Sequence, residues 1–433
     1  MHSPKQESWG KRNALTSTQS SEEFWACVLF ICIGVGYLFP FSALTQPVDY
    51  WNKLFPEFDI DFPITATYMW VNLIFLGLLV FMGDPTKSYD MRMYGGFLGQ
   101  FVALMVVPSS YFLYLSEESN FYVVIGSTFF AAAVTACIDS CAISLSCQYP
   151  KSCQEALQVG IGMSTLIGSV YRLLTKAFFS ADQVVESSLL YFYGGAVTVL
   201  GCVYAYWHLK GMNLTRQALA GLLNTGDGGE EQQLLEEGGK KKAKKSYGIF
   251  GGGVKKEAAA PVLIDKVATF RKALFNESMV FIVFASTLSL WPPFVSEIKS
   301  FSYPYLNETK WWPLILLFCF ALMDVAGRFC VPYRCGLTKD NIWIPVIIRA
   351  VVFIPLIISL VKFPVLESDL FSVVSVAVLG FTNGYLGSLS IILVNERVSP
   401  EERGVVGALT GFVLNFGLLV GATVAILLQD FMM

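Results

Sequence analysis

The sequence predicts an all-α polytopic membrane protein, and three observations support this prediction. The chain has 433 residues, of which 54% are hydrophobic and only 15% are charged, whereas ordinary soluble domains contain about 25% charged residues. Its apolar residues gather in runs of about 20, the length that crosses the hydrocarbon core of a bilayer. A long polar segment then divides these runs into two sets. A soluble globular fold is therefore excluded.

The apolar runs organise the chain into two bundles. About eleven runs are long enough to span a bilayer, and they lie at 24–46, 63–83, 94–115, 121–147, 155–178, 188–208, 274–297, 311–333, 343–363, 369–394 and 404–428. We expect residues 24–208 to form a first bundle of six helices and residues 271–433 a second bundle of five. Residues 1–23 are expected to form a cytosolic tail, because the first apolar run is too long for a cleaved signal peptide.

Residues 209–270 separate the two bundles. This segment includes GDGGEEQQLLEEGGKKKAKK and lacks the apolar content that a folded core requires. We therefore expect a disordered basic cytosolic loop. Its lysine cluster, Lys240–Lys242 with Lys244 and Lys245, either contacts anionic lipid headgroups or, as we favour, stays solvated and fixes the topology.

Lysine and arginine residues in the loops predict the orientation of the chain, because cytosolic loops are enriched in both. With the N-terminus in the cytosol, the outer loops hold only Lys53, Lys299, Lys310 and Lys362. An odd number of spans then places the C-terminus outside, where Asn307 in the sequence Asn-Glu-Thr would be a glycosylation acceptor. We expect an integral membrane protein, with the plasma membrane favoured over an organelle.

The eighth run, LILLFCFALMDVAGRFC, contains Asp324 and Arg328. Residues four apart lie on one face of a helix, about one turn from each other. Ionised groups at this depth cost at least about 2.5 kcal/mol each, so they persist mainly where they pair, face water or bind a ligand. Two interpretations remain open: a buried ion pair that joins this helix to its neighbours, and a polar site in a transport path.

Helix-breaking residues occur at corresponding positions of the two halves. The first span contains Gly34, Gly36 and Pro40, and the seventh contains Pro292 and Pro293. Such residues interrupt the hydrogen-bond ladder of a helix, and paired interruptions in two halves indicate a central substrate site in secondary transporters. The alternative is that glycine and proline are simply common in membrane helices.

Other polar and aromatic residues in the spans are candidates for the same site. Asp139, in the fourth span, is a helix-contact acid, a hydrogen-bond acceptor for substrate or a proton-binding group. Asn383, in the tenth span, offers both a donor and an acceptor to a neutral polar ligand, or joins two helices. Phe41 and Trp291 lie beside the predicted breaks, where they can stack on a planar ligand or serve packing. We expect Arg349, early in the ninth span, to lie at the membrane interface.

Motifs of enzyme chemistry are absent from the sequence. It contains no Walker A phosphate loop, no HExxH and no GxSxG, and only two histidines occur. The ten cysteines lie in or beside apolar runs and predict no disulfide framework. We therefore expect neither an enzyme nor a bound cofactor or metal, and we infer no nucleic acid and no obligate protein partner.

Three segments resemble motifs of the equilibrative nucleoside transporters. The first-span segment GVGYLFPFS resembles the family pattern Gly-x-Gly-x-Leu-x-Pro-Trp-Asn, with Phe41 and Ser42 in place of Trp and Asn. The eighth-span segment MDVAGRF resembles the Asp-x-x-Gly-Arg signature, and the tenth-span segment FTNGYLGSLS is similar to Ser/Thr-Asn-Gly-Tyr-x-x-Ser. The matching positions are Gly34, Gly36, Leu38, Pro40, Asp324, Gly327, Arg328, Thr382, Asn383, Gly384, Tyr385 and Ser388. The arrangement of six and five spans around a long cytosolic loop is also that of the family.

This resemblance implies a major-facilitator-like bundle that moves nucleosides or nucleobases by alternating access. It implies that Asp324 and Arg328 engage the ribose hydroxyls and the base region. A glutamine in the fourth span of the family commonly contacts the base, and the matching position, counted back from Pro150, is Asp139. An acid in place of an amide there would alter the base preference or couple transport to protons, and both hypotheses remain open.

The resemblance also aligns Leu38 and Thr45 with positions of the first span that face the ligand. We expect Arg328, oriented by Asp324, to donate hydrogen bonds to the sugar, and Asp139 to accept a hydrogen bond from the base. Two alternatives to nucleoside transport remain: a facilitator of another small polar solute such as a sugar, and a polytopic receptor that binds its ligand without moving it.

Overall fold

A computed structural model of the chain describes residues 4–56, 60–83, 88–113, 116–179, 183–223, 264–362 and 367–432. All regular structure within these ranges is helical, in agreement with the predicted fold class. The helices of the first half are α1 (Pro4–Thr45), α2 (Val48–Leu54), α3 (Asp61–Gly77), α4 (Tyr89–Ser109), α5 (Glu117–Asp139), α6 (Ala142–Ser146), α7 (Lys151–Phe178), α8 (Val184–Gly211) and α9 (Asn213–Leu223).

The second half begins after the long polar segment. Its helices are α10 (Lys266–Leu288), α11 (Pro293–Glu297), α12 (Pro304–Glu308), α13 (Trp311–Phe329), α14 (Trp343–Lys362), α15 (Asp369–Val394) and α16 (Arg403–Met432). The Asp265 side chain begins α10 by accepting hydrogen bonds from the Val267 and Ala268 backbone N–H groups, which have no partner within the first turn of a helix.

Ten helical segments in the described ranges are long and apolar enough to cross a membrane. The predicted span at 94–115 is not among them, although α4 occupies its place with 21 residues. This helix is long enough to cross at about 1.5 Å per residue. Its Asp90, Arg92 and Gln100 lower the mean hydropathy of the helix.

Helical structure extends into segments that the sequence assigned to a tail and a loop. α1 begins at Pro4, inside the predicted tail 1–23, and no further proline interrupts it before Pro40. α8 and α9 reach Leu223 and α10 begins at Lys266, so both ends of the predicted loop 209–270 are helical. The middle of that loop, 224–263, with its lysine cluster, lies outside the described residues.

The two predicted helix breaks differ in outcome. α1 passes through Gly34, Gly36 and Pro40 without interruption, so the predicted break in the first span is wrong. A membrane helix tolerates a single proline where neighbouring groups satisfy the freed carbonyl. In the seventh span the break is present, because α10 ends at Leu288 and α11 begins only at Pro293.

The two halves meet along two sets of interhelical contacts. α7 packs against α13, and α3 and α6 pack against α16. One cluster of buried apolar residues crosses this boundary, since it contains Leu157 and Ile161 of α7 together with Phe284 of α10 and Leu414 of α16. The candidate site residues lie close to these contacts.

Glycine allows two helix pairs to approach to backbone contact. A Cβ atom at Gly160 of α7 would meet the Ile31 carbonyl oxygen and the Gly34 Cα atom of α1. A Cβ atom at Gly384 of α15 would clash with the Asp324 carbonyl oxygen of α13. Small residues drive association in a membrane because close packing replaces the hydrophobic effect there.

The predicted glycosylation acceptor Asn307 lies on the short helix α12. Its Oδ1 atom accepts a hydrogen bond from the Ser300 backbone N–H at 2.9 Å, and its Nδ2 atom donates to the Ser300 carbonyl oxygen at 2.8 Å. A glycan attached to the Asn307 Nδ2 atom would have to fit beside the hydrogen bond from Nδ2 to the Ser300 carbonyl oxygen. Glycosylation therefore stays a prediction.

Gly160→Ala is expected to lower the melting temperature of the detergent-purified protein, because the added methyl group would force α1 and α7 apart. Inserting a methyl group into a well-packed contact typically costs about 1–3 kcal/mol. Gly201→Ala on α8 is the matched control, since no atom of the described residues lies within 4 Å of a Cβ atom at that position. Equal melting temperatures for the two variants would contradict the packing assigned to Gly160.

Candidate functional site

Asp324 and Arg328 form a buried ion pair near the end of α13. The Arg328 Nε atom donates to the Asp324 Oδ2 atom at 2.8 Å, and each side chain is 5% exposed. Their spacing of four residues places them on one helix face, as the sequence predicted. The pair is thus a structural interaction. The other contacts of the two side chains determine which further role the pair can have.

Arg328 also reaches from the second half of the chain to the first. Its Nη1 atom donates to the Gln158 carbonyl oxygen of α7 at 2.9 Å and lies 3.3 Å from the Gln158 Oε1 atom. It also lies 3.4 Å from the Ser388 Oγ atom of α15. Gly162 of α7 makes room for this arginine, since a Cβ atom there would lie 2.5 Å from Arg328 Cδ. The guanidinium group therefore bridges the boundary between the halves.

Asn383 supports the carboxylate from the opposite side. Its Nδ2 atom donates to Asp324 Oδ1 at 2.7 Å, while its Oδ1 atom accepts from the Thr287 hydroxyl at 2.7 Å. Both ends of the amide are therefore used, and Asp324 accepts one hydrogen bond on each carboxylate oxygen. The structure brings Asp324, Arg328 and Asn383 together.

Arg349 is buried in the same polar network, so the prediction that it lies at the membrane interface is wrong. The residue is 3% exposed. Its guanidinium group donates to the hydroxyls of Thr287 at 2.8 Å, Ser286 at 3.0 Å and Thr382 at 3.0 Å. The Thr287 hydroxyl thereby links Arg349 to Asn383 and, through it, to Asp324.

The polar network thus consists of Gln158, Thr287, Asp324, Arg328, Arg349 and Asn383. Gln158 and Thr287 are members of this network that the sequence did not predict. An amide in the apolar stretch EALQVGIG is a signal that could have found Gln158. Thr287 carries no such signal, since threonine is common in membrane helices and commonly bonds to its own backbone.

Asp139 lies in a second polar cluster at the end of α5. The residue is 2% exposed, and its Oδ2 atom accepts a hydrogen bond from Asn72 Nδ2 of α3 at 3.0 Å. The side chains of Tyr37 on α1 and Asn415 on α16 also face the carboxyl group, without a hydrogen bond of good geometry. We call these four residues the Asp139 cluster.

A small cavity adjoins the Asp139 cluster. It has a volume of about 30 Å³ and is lined by Leu38, Phe41, Tyr68, Met69, Asn72, Asn415 and Leu418. The Phe41 and Tyr68 rings contact each other in its wall, with 5.2 Å between their centroids. Small-molecule pockets have volumes of about 300–1,000 Å³, so the cavity is too small for such a ligand in this conformation.

The remaining predicted residues, Thr45 and Trp291, lie beside the Asp139 cluster and the polar network, respectively. Thr45 lies one turn beyond Phe41 on α1, and its hydroxyl donates to the Phe41 carbonyl oxygen at 2.9 Å. The Trp291 ring stacks on the ring of Phe320, and the two centroids are 4.8 Å apart. Phe320 lies one turn before Asp324 on α13. The Trp291 Nε1 atom is buried without a hydrogen-bond partner in the described structure.

The predicted residues therefore lie in two places. Asp324, Arg328 and Asn383 belong to the polar network, with Trp291 beside it. The Asp139 carboxyl is held beside the cavity by Asn72, which lines it together with Leu38 and Phe41.

The sequence profile of one family, described as nucleoside transporter, matches residues 124–430. The chain belongs to the nucleoside transporter family. It is a membrane transporter and not an enzyme. Among its relatives, equilibrative nucleotide transporter 1 of Arabidopsis thaliana is 25% identical over 415 residues, which cover 94% of this chain and 86% of that protein. Human equilibrative nucleoside transporter 4 is 22% identical over 438 residues, which cover 90% of this chain and 80% of that protein.

Solved structures support the major-facilitator-like fold of this family member. The proton:xylose symporter XylE, bound to 6-bromo-6-deoxy-D-glucose, superposes with a TM-score of 0.59 at 11% identity. The superposition covers 95% of this chain and 90% of that protein. At this identity the likeness establishes the fold alone.

Asn383→Leu is expected to lower the melting temperature of the purified transporter, because it leaves the Asp324 Oδ1 atom without its hydrogen-bond donor in the protein interior. Such a loss typically costs about 1–3 kcal/mol. Ser390→Ala is a matched control on the same helix, since the Ser390 hydroxyl is buried without a hydrogen-bond partner in the described structure. A melting temperature of Asn383→Leu equal to that of Ser390→Ala would argue against the polar network.

Proposed function

We propose that this transporter moves nucleosides or nucleobases down their gradient by alternating access, with two bundles, 24–208 and 271–433, rocking about a central site. The observation that carries the proposal is the bridge from Arg328 to Gln158. A charged group buried between two halves loses its partners on one side whenever the halves separate. A ligand that offers hydrogen-bond acceptors can then take their place.

The polar network supplies the contacts proposed for the sugar. Arg328 donates to the ribose hydroxyls when its bonds to Gln158 open, and Asp324 keeps the guanidinium group oriented. Asn383 fixes the Asp324 carboxylate through its 2.7 Å hydrogen bond. The Trp291 ring stacks on Phe320, which lies one turn before Asp324, and is suited to cover the ligand. Its Nε1 atom lacks a partner in the described structure.

The Asp139 cluster supplies the contacts proposed for the base. Asp139 accepts a hydrogen bond from the base, while Phe41 and Leu38 enclose the ring from α1 and Thr45 lies at the rim. This assignment is supported by the cavity that Leu38 and Phe41 share with Asn72. Coupling of transport to protons through Asp139 remains a hypothesis beside simple facilitation.

We propose the plasma membrane as the location, with the N-terminus in the cytosol and the C-terminus outside. The excess of lysine and arginine in the loops on one side supports this orientation. Lipid is expected around the large apolar side chains that are exposed on the helix surfaces, such as Met82, Phe178 and Val197. The proposed ligand is a nucleoside or nucleobase, and no obligate protein partner is inferred.

Arg328→Ala is expected to abolish uptake of labelled adenosine and uridine into proteoliposomes, because the sugar loses its donor. Gel filtration and the melting temperature establish that the variant is folded. Arg271→Ala is the matched control, since this arginine is exposed on α10 and should leave uptake unchanged. Normal uptake by Arg328→Ala would reject the role assigned to Arg328.

The same assay separates the alternatives. Saturable binding without accumulation inside the vesicles would indicate a receptor. Failure of both nucleosides, in protein that is monodisperse, would reject nucleoside transport and direct the test to nucleobases and then sugars.

A further inference from the structure

Several buried acceptor atoms of the Asp139 cluster lack a partner. In the described structure the Asp139 Oδ1 atom, the Asn72 Oδ1 atom and the Tyr37 hydroxyl make no hydrogen bond. The three residues are 2%, 3% and 2% exposed. Unpartnered polar atoms are uncommon in protein interiors and persist where water or a ligand satisfies them. Since Asn72 lines the cavity and bonds to Asp139, a ligand that enters there contacts Asn72 and comes next to Asp139.

The unpartnered atoms require a ligand with adjacent N–H donors. An ionised carboxylate and an amide oxygen only accept hydrogen bonds. Asp139 Oδ1 and Asn72 Oδ1 belong to side chains that are joined by the 3.0 Å bond between Asn72 Nδ2 and Asp139 Oδ2. The two free acceptors therefore belong to side chains that are in contact, and a ligand with donors on neighbouring atoms suits them.

A donor for a carbonyl oxygen is also present at the cavity. The Asn415 side chain lines it, and the Asn415 Nδ2 atom donates to the Gly411 carbonyl oxygen at 2.9 Å. An amide nitrogen carries two N–H groups, so one remains after this bond. The Tyr37 hydroxyl is a second potential donor. The cluster thus offers acceptors and a donor side by side.

Among nucleobases, this arrangement fits guanine. The guanine edge presents the N1–H and the 2-amino group as adjacent donors, followed by the O6 acceptor. Adenine presents one donor, its 6-amino group, beside the N1 acceptor, and uracil presents a single N3–H between two carbonyls. Adenine would direct an acceptor against the carboxylate oxygen, and an unpaired acceptor in a buried site is strongly disfavoured.

We propose that the Asp139 cluster selects 2-amino-6-oxopurines, so that guanosine and guanine are preferred over adenosine and uridine. The proposal rests on the nucleoside transport proposed above and specifies its substrate. Asp139 and Asn72 accept from the N1–H and the 2-amino group, and Asn415 donates to O6. The base enters when the cavity widens, which Leu38, Met69 and Leu418 permit because they are flexible apolar side chains.

Asp139 is the residue that determines which purine base is preferred. A glutamine at this position would offer both a donor and an acceptor and would therefore accommodate either purine. An ionised aspartate offers acceptors alone. The selectivity is thus a property of this side chain and not of the apolar walls.

The test measures Vmax/KM for labelled guanosine, inosine, adenosine and uridine in proteoliposomes. The wild-type transporter is expected to favour guanosine over adenosine by at least about tenfold, since one well-placed pair of hydrogen bonds discriminates by that amount. Inosine, which lacks the 2-amino group, should fall between them. The ratio of two substrates is independent of the amount of folded protein in the vesicles.

Asp139→Asn is expected to bring the guanosine-to-adenosine ratio close to one, because an asparagine keeps an acceptor and also offers the donor that the adenine N1 atom requires. Asp139→Gln should give a ratio near one and serves as the second variant if the first does not fold. Glu277→Gln is the matched control, because Glu277 is also a buried acid, at 1% exposure, and bonds to Thr410 on α16. It should leave the ratio unchanged.

Two outcomes would overturn the proposal while nucleoside transport stands. One is equal or better transport of adenosine by the wild type, and the other is a guanosine-to-adenosine ratio that Asp139→Asn does not change. Absence of uptake for every nucleoside and nucleobase would reject the proposed function instead. In that case a larger rise in the melting temperature with guanosine than with adenosine would still support selective binding, and no rise with either would overturn it.

Discussion

The ion pair between Asp324 and Arg328 is the interaction on which the arrangement of the surrounding helices depends. A charged pair removed from water is stable only if its remaining donors and acceptors are also satisfied. Arg328 finds acceptors on α7 and α15, and Asp324 finds a second donor in Asn383. Helices from both halves of the chain are thereby fixed around one guanidinium group.

Short interhelical distances make these bonds possible. Gly162 and Gly384 both lie against the ion pair, and a methyl group at either position would collide with it or with its backbone. The polar network and the close helix packing are therefore two aspects of one arrangement. Arg349 extends it, since its guanidinium group donates to hydroxyl and carbonyl oxygens and, among the described residues, to no carboxylate.

Much of the fold follows from the sequence, because the thickness of a bilayer fixes the length of an apolar helix. The spacing of Asp324 and Arg328 likewise determines that they share a helix face. The partners of this pair do not follow from spacing. Gln158 is separated from Arg328 by 170 residues, so their contact depends on how α7 and α13 pack. The wrong prediction that Arg349 lies at the membrane interface has the same origin, because the burial of an arginine depends on which hydroxyl groups face it in the folded protein.

The glycine-mediated contact of α13 with α15 has a consequence for the kinetics of the molecule. Because the two backbones touch at Gly384, we expect Asp324, Arg328 and Asn383 to move together. Separation of the halves would then break the bonds of Arg328 to Gln158 and spare its bond to Asp324. Each hydrogen bond to a charged group contributes about 1.5–3 kcal/mol to stability. Breaking the bonds between Arg328 and Gln158 would add a barrier of this size, which is compatible with the microsecond-to-millisecond timescale of domain motions.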